Sequence, residues 1–424
     1  MQNRDILISG ASIAGPALAY WIRRYGFNAT VVERAPALRE GGYKIDIRGA
    51  AVGVLERMGI LDEVQRASTD MRGASFVDSA GKPIATMSAD FFMGREGDDV
   101  EVMRGDLSRI LYEASRDDVE YIFDDSISAI SQDDNGVLVT FERGEQRTFD
   151  LVVGADGPHS NVRALAFGDE SKFIRHLGSY ISIFTTANHL DLDHWELFYS
   201  FPGRLANIYS ARQKTEAKAL FAFASEPLHY DRRDIGQQKK ILANAFAGQR
   251  WEVPRLLDAM WYAPDFYFDS MSQIQMDHWS NGRAVLVGDA GYSPSPASGQ
   301  GTSLALVGAY VLAGELKEAT GDHRTAYARY EEEIRNYVEQ NLNLGQNPHM
   351  CLQMQETAPT RPLPREASRR RQAAITFSVI PPAPLPSRDV MTIGTNLRTS
   401  HLDFILLLLT DNLTVWEVQL WPRA

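Results

Sequence analysis

The stretch Asp5-Ile-Leu-Ile-Ser-Gly-Ala-Ser-Ile-Ala-Gly-Pro-Ala-Leu-Ala19 constrains the fold of this chain more than any other. Ile6 to Ile8 make a short apolar run of the kind that forms a buried parallel strand. Gly10 permits a sharp turn out of that strand, and Gly15 lets the next helix pack close to the sheet. Free N–H groups at that helix start, with their partial positive charge, suit a pyrophosphate. The pattern is G-x-S-x-x-G, with Ser12 at the middle glycine position, where a serine still allows close approach but less comfortably. A second apolar run, Ala29-Thr-Val-Val-Glu33, ends on an acid 23 positions after Gly10. A carboxylate at a spacing of roughly 20 reaches a ribose hydroxyl pair. The plainer reading of Glu33-Arg34 is a solvated strand end. Strand, turn, helix, strand and acid in this order favour dinucleotide binding.

At 424 residues the chain is too long for one core and suggests two or three domains. A formal charge of −12 argues against general nucleic-acid binding and against adhesion to anionic membranes. Cys351 is the only cysteine, so no internal disulfide and no cysteine-based metal site can form. The nine histidines include no H-x-x-x-H or H-E-x-x-H pair, and no metal site is expected. Met1 leads almost directly into the first strand, and no apolar run reaches the length of a membrane span. The expectation is a cytoplasmic protein without stable membrane insertion, monomeric or homodimeric.

Two further turns follow buried strands. Phe149-Asp-Leu-Val-Val153 runs into Gly154-Ala-Asp-Gly-Pro-His-Ser-Asn-Val-Arg163, where Asp156-Gly157 is a turn pair and Ser160 can cap the helix carrying Arg163. Arg283 to Val287 runs into Gly288-Asp-Ala-Gly-Tyr-Ser-Pro-Ser-Pro-Ala-Ser-Gly-Gln-Gly301, placing Asp289 at a strand's carboxyl end, where open α/β sheets bind ligands. A helix is expected from about Thr302 to Leu316, and another from His323 to about Asn343. Between the first two turns, Arg39 to Arg48 reads either as a hairpin leading to a packing helix or as a Gly41-Gly42 approach to a flat ligand, with Asp46 and Arg48 nearby. Met103 to Leu111 starts a helix that Asp106 or Ser108 can cap, with Arg104 placed to reach a phosphate or a flavin edge. Residues 172–270 carry aromatic-rich strands without long intervening helices, which predicts an antiparallel sheet suited to a flat apolar ligand.

These three turns, in this order, resemble the FAD-dependent aromatic hydroxylases, the class A flavoprotein monooxygenases related to p-hydroxybenzoate hydroxylase. The Arg39-to-Gly59 and Met103-to-Leu111 stretches look most like the tetracycline-inactivating and polyketide-tailoring members, and the resemblance spans about residues 4–347. It implies an α/β fold: a Rossmann-like, GR2-type FAD-binding domain with an antiparallel-sheet substrate domain and C-terminal helices. The implied division gives residues 1–72, 100–170 and 272–320 to FAD, 73–99 and 171–271 to substrate, 321–347 to a helix, and 348–424 to a proline- and arginine-rich linker and tail of unknown role.

By the resemblance, Gly10, Ser12, Ile13, Ala14 and Gly15 hold the FAD pyrophosphate, and Glu33 with Arg34 lies at the adenosine ribose. Gly42, Asp46 and Arg104 contact the cofactor, and Asp156-Gly157 supports both FAD and the docking nicotinamide. Gly288-Asp289 binds the ribityl or pyrophosphate portion, and Gly299 and Gly301 lead into a helix whose positive end faces the flavin pyrimidine. NADPH or NADH reduces the flavin, O2 adds at C4a, and the hydroperoxide oxygenates an electron-rich aromatic small molecule; no catalytic side chain is named. Gly291-Tyr292 departs from the Ala-His common in the family. A halogenase is disfavoured because W-x-W-x-I-P is missing. An epoxidase or prenyl-lipid reductase of the same fold, or a non-catalytic flavin-binding protein, is the alternative.

Overall fold

The computed structural model describes residues 3–39, 41–89, 97–211 and 215–346. The apolar run Ile6-Leu7-Ile8 lies near the centre of a six-stranded sheet, fully shielded from solvent. The order across that sheet is Ser280–Asn281, Ala284–Leu286, Leu151–Gly154, Asp5–Ser9, Asn28–Glu33 and Glu120–Phe123. All pairs are parallel except the first, which is antiparallel. Continuous Val/Ile/Leu runs in these strands are what a sheet covered on both faces requires. Helix Ala14–Arg24 packs against helix Gly301–Glu318, which in turn packs against His323–Leu344. Gly301–Glu318 buries residues on nearly every side, while His323–Leu344 turns Tyr327, Tyr330, Ile334 and Val338 inward.

A second, seven-stranded sheet runs Tyr267–Ile274, Ile174–Ala187, Glu216–Ala224, Arg204–Tyr209, Trp195–Phe201, Gly73–Val77 and Pro83–Ser88. Alternation along its strands separates two faces. Tyr180, Phe184, Phe221, Phe223 and Phe268 pack with Phe246, Leu256 and Met260 beneath helices Ile235–Ala245 and Val253–Met260. The opposite face carries Ile181, Ile183 and Met271, with Leu220, Tyr43 and Ala297 beside them. This sheet is antiparallel as expected, apart from the parallel pairing of Trp195–Phe201 with Gly73–Val77.

Three local expectations are revised. Lys44–Ile47 forms no local hairpin; it pairs antiparallel with Val100–Met103, with Gly41 and Gly42 before it at φ of 80° and 96°. The N-cap of helix Arg104–Glu113 is Met103, and the Ser108 hydroxyl donates across to the Ser12 carbonyl at 2.9 Å instead of capping. The strand expected at 149–153 is divided, since Arg147–Phe149 joins a three-stranded sheet and Leu151–Gly154 the parallel one. The linker and tail at 348–424 lie outside the described residues. Among the described residues no helix is long and apolar enough to cross a membrane.

Candidate active site

The first turn is shaped by steric necessity. Gly10 has φ +106°, and a Cβ there would lie 2.5 Å from the Ala155 carbonyl oxygen. A Cβ on Gly15 would fall 1.9 Å from the Gly10 oxygen, so the helix can start this close to the strand only with glycine. Ile13 is the N-cap, Ala14 begins the helix, and neither a capping side chain nor an acid occupies the first turn. Those N–H groups are therefore available to an anion.

Ser12 is where the fingerprint departs from glycine, and its hydroxyl accepts a 2.7 Å hydrogen bond from Arg104 Nη2. Arg104 sits at the start of its helix beside the glycine pair. Its Cβ would be 3.3 Å from a Cβ on Gly42, and its backbone N–H donates to the Tyr43 carbonyl. The charge of Arg104 also acts on buried Asp289, whose carboxyl is pushed above its ordinary range by burial. One side chain thus links the first turn, the glycine pair and the third turn.

Glu33 spans the other side of the first turn, accepting from Ala11 N–H and Ala35 N–H, each at 2.9 Å. Arg34 is exposed beside it and contributes, with Glu33 and Arg104, to the field at Arg39. Asp46 lies at the far end, paired with Arg48 at 3.0 Å, its Oδ2 3.8 Å from where a Cβ on Gly299 would be. Gly288, at φ +64°, fits between Ala305 and Ala14 on the two packed helices. A Cβ on Gly301 would stand 3.6 Å from Asp289 Oδ1, which sets the start of helix Gly301–Glu318 against that carboxylate.

The second turn is built differently. The Asp156 carboxylate accepts from the Ser9 and Ser160 hydroxyls and from the Asn161 and Val162 N–H groups. These donors tie the first strand to helix Asn161–Phe167. Gly157 has φ +84°, and a Cβ there would meet nothing within 4 Å, leaving open space beside the turn. Ser160 caps the helix as expected, and Arg163 is wholly buried, donating to the Ala290 and Pro158 carbonyls and to Glu170. The departure at Gly291-Tyr292 is a packing solution. Tyr292 bonds the Tyr330 hydroxyl at 2.8 Å, and a Cβ on Gly308 would stand only 2.0 Å from its oxygen.

A group of residues that carries no motif of its own meets at the edge of the seven-stranded sheet. Tyr267 faces Tyr43, their rings 6.2 Å apart, and Asp269 beside it contacts His159 of the second turn. Next to them opens a cavity of about 360 Å³, lined in part by His159, Glu170, Tyr230 and Arg232. His159 lies inside the second motif, which is the one signal that marked it.

Uncapped N–H groups at the start of helix Ala14–Arg24, with Arg104 beside them, offer donors suited to a pyrophosphate, and the glycines at Gly10 and Gly15 keep that turn close to the sheet. A family model described as an FAD binding domain matches residues 3–344. An uncharacterized protein of Mycobacterium tuberculosis is 50% identical over 340 residues, covering 80% of this chain and 91% of that protein. A flavin-dependent monooxygenase from an unknown prokaryotic organism is 46% identical over 344 residues, covering 81% of this chain and 89% of its own length. The tetracycline destructase Tet(55) matches with a TM-score of 0.75 at 43% identity, over 88% of this chain and 94% of its own. Klebsiella pneumoniae HpxO, complexed with FAD and uric acid, has a TM-score of 0.63 at 22% identity over 83% and 90%, and shares the fold. With the family matched across all three turns, the chain belongs to the FAD-binding-domain family and is a class A flavin-dependent monooxygenase.

Proposed function

We propose that this enzyme hydroxylates a planar, polycyclic aromatic small molecule, with FAD as cofactor, NADPH or NADH as hydride donor and O2 as oxygen source. One observation carries the substrate class: the sheet face bearing Ile181, Ile183, Met271 and Leu220 packs with Tyr43 and Ala297, the neighbours of Gly42 and of the Gly299–Gly301 turn. A flat apolar wall beside the cofactor turns suits fused rings. The likeness to Tet(55) makes a tetracycline-type ring system the first to try.

FAD, when bound, supplies hydride acceptance and the delivery of one atom of dioxygen. The chain's own residues bind, orient and shield. The N–H groups of Ser12 to Gly15 hold the pyrophosphate, with Arg104 fixing Ser12, and Glu33 holds the ribose. Asp289 would hold the ribityl or pyrophosphate portion. Helix Gly301–Glu318 has no acid in its first turn, and its positive end would favour negative charge on a flavin pyrimidine bound there. The Gly157 turn and the open space beside it serve docking of the nicotinamide. The sheet wall and the 41–43 segment keep water from the reacting atoms. In balance, substrate C–H, O2, NAD(P)H and one proton give the hydroxylated product, NAD(P)+ and water.

The test is turnover of the FAD-loaded protein with NADPH, ¹⁸O2 and tetracycline, read by mass spectrometry. One labelled oxygen in the product supports the proposal. Hydrogen peroxide as the only product, with tetracycline and with simpler polycyclic phenols, contradicts it.

A further inference from the structure

The balance above consumes one proton per turnover at a site built to exclude water. The inference rests on that reading for its purpose, and its evidence is a separate line of contacts. Tyr267 stands on the substrate side of the sheet, against Tyr43 and within the field of Arg104. Its hydroxyl donates to Asp269 Oδ2 at 3.2 Å. The same oxygen lies 3.0 Å from His159 Nε2, and His159 Nδ1 lies 3.1 Å from both carboxylate oxygens of Glu170. Glu170 and His159 line the 360 Å³ cavity. We propose that His159, Asp269 and Tyr267, with Glu170 anchoring the imidazolium, form a proton relay from that cavity to the flavin face of the sheet.

The transfer balances as a shift of one proton. A basic atom at the reacting centre takes the Tyr267 phenolic proton; Asp269 returns one to the phenolate oxygen while receiving the Nε2 proton of the His159 imidazolium. His159 keeps its Nδ1 proton on Glu170 throughout, and Nε2 is recharged from water in the cavity that His159 and Asp269 both line. Burial alone would lower the His159 pKa, but hydrogen bonds and charge from Asp269 and Glu170 outweigh it and raise it to about 9, so the imidazolium is the resting form at neutral pH. The other charged or titratable groups facing the chain are Arg163 and Arg232 on Glu170, and Tyr180 and Tyr230 on Asp269. Arg163 and Arg232 hold Glu170 ionised, so that it anchors the Nδ1 proton and keeps Nε2 turned to Asp269.

Reoxidation of photoreduced, FAD-loaded protein by O2 tests the relay with neither substrate nor NADPH, since oxidation of anionic reduced flavin to give hydrogen peroxide also takes up one proton. In wild type the rate should fall as pH rises through about 9, where His159 loses its proton. At pH 7, Tyr267→Phe and His159→Gln should each slow reoxidation at least ~10-fold and flatten the pH profile, a size typical of lost acid–base participation. The double variant should be no slower than either single one. Wild type alone should also reoxidise more slowly in D2O than in H2O, as expected when proton transfer limits the rate. Reoxidation at the wild-type rate with an unchanged profile in both variants, or no isotope effect in wild type, overturns the relay. Normal reoxidation behaviour with no substrate hydroxylated would sink the hydroxylase reading and leave the relay standing.

Discussion

Arg104 Nη2 donates to the Ser12 hydroxyl at 2.7 Å, so the position where the glycine fingerprint departs is the position the arginine holds. The serine gives Arg104 a partner inside the turn, from where its charge acts on Asp289.

Removing that arginine should weaken FAD binding more than altering the serine. A hydrogen bond to a charged group contributes about 1.5–3 kcal/mol, so Arg104→Ala should raise the FAD dissociation constant roughly 10–100-fold. Ser12→Gly restores the common fingerprint and should cost less than about 10-fold. Fluorescence titration of the apoprotein with FAD measures both. Unchanged affinity in Arg104→Ala would show that the guanidinium is only a structural tie.

Gly15 and Gly157 should respond differently to the same methyl group. In Gly15→Ala the added carbon meets the Gly10 oxygen at 1.9 Å, a clash with backbone that cannot be relieved by a rotamer change. The thermal midpoint should drop and the protein should purify without flavin. Gly157→Ala meets open space and suffers only its positive φ, about 1 kcal/mol. Equal melting curves for the two would contradict the steric account.

Asp156 tests whether the second turn acts directly or through the fold. Its carboxylate is committed to four protein donors, so Asp156→Asn should lower global stability, because one oxygen becomes an amide facing donors. Chemical denaturation of the apoprotein should show the loss before any flavin is added. Unaltered apoprotein stability with lost FAD binding would make Asp156 a ligand instead.

The His159 cluster gives a pH dependence with a definite sign. A raised folded-state pKa means stability that is complete below the unfolded value of about 6.5 and lost as pH climbs through about 9. Glu170 works in reverse. Burial alone would raise its pKa, but His159 and Arg232 hold it down at about 2, so its contribution is lost as pH falls through that value. The thermal midpoint should therefore decline between pH 7 and 9.5, and His159→Gln should flatten that decline; an unchanged slope in the variant would contradict the pairing.

How much of this was legible in the sequence follows from the range of each interaction. The three turns are local: a strand's apolar run, a glycine that alone tolerates the turn, and an acid or a helix start after it. Gly10, Glu33 and Asp289 could thus be picked out from spacing. Arg104 was legible through its place before a helix, but its bond to Ser12 joins residues 92 positions apart and leaves no spacing signal. The same holds for Lys44–Ile47 with Val100–Met103, which the sequence suggests as a local hairpin. Tyr267, Asp269 and His159 meet only because the edge of one sheet lies against a turn from the other. Tyr267 lies inside the aromatic-rich stretch 172–270, whose composition says nothing of its partner.

The central claim is that this chain binds FAD in a form a nicotinamide can reduce, and the most direct measurement is an anaerobic NADPH titration of the FAD-loaded protein followed by readmission of air. The account predicts that the oxidised flavin absorbance bleaches with one equivalent of NADPH or NADH and returns with oxygen. Failure of the protein to take up FAD, or bound FAD that neither nicotinamide reduces, would contradict it.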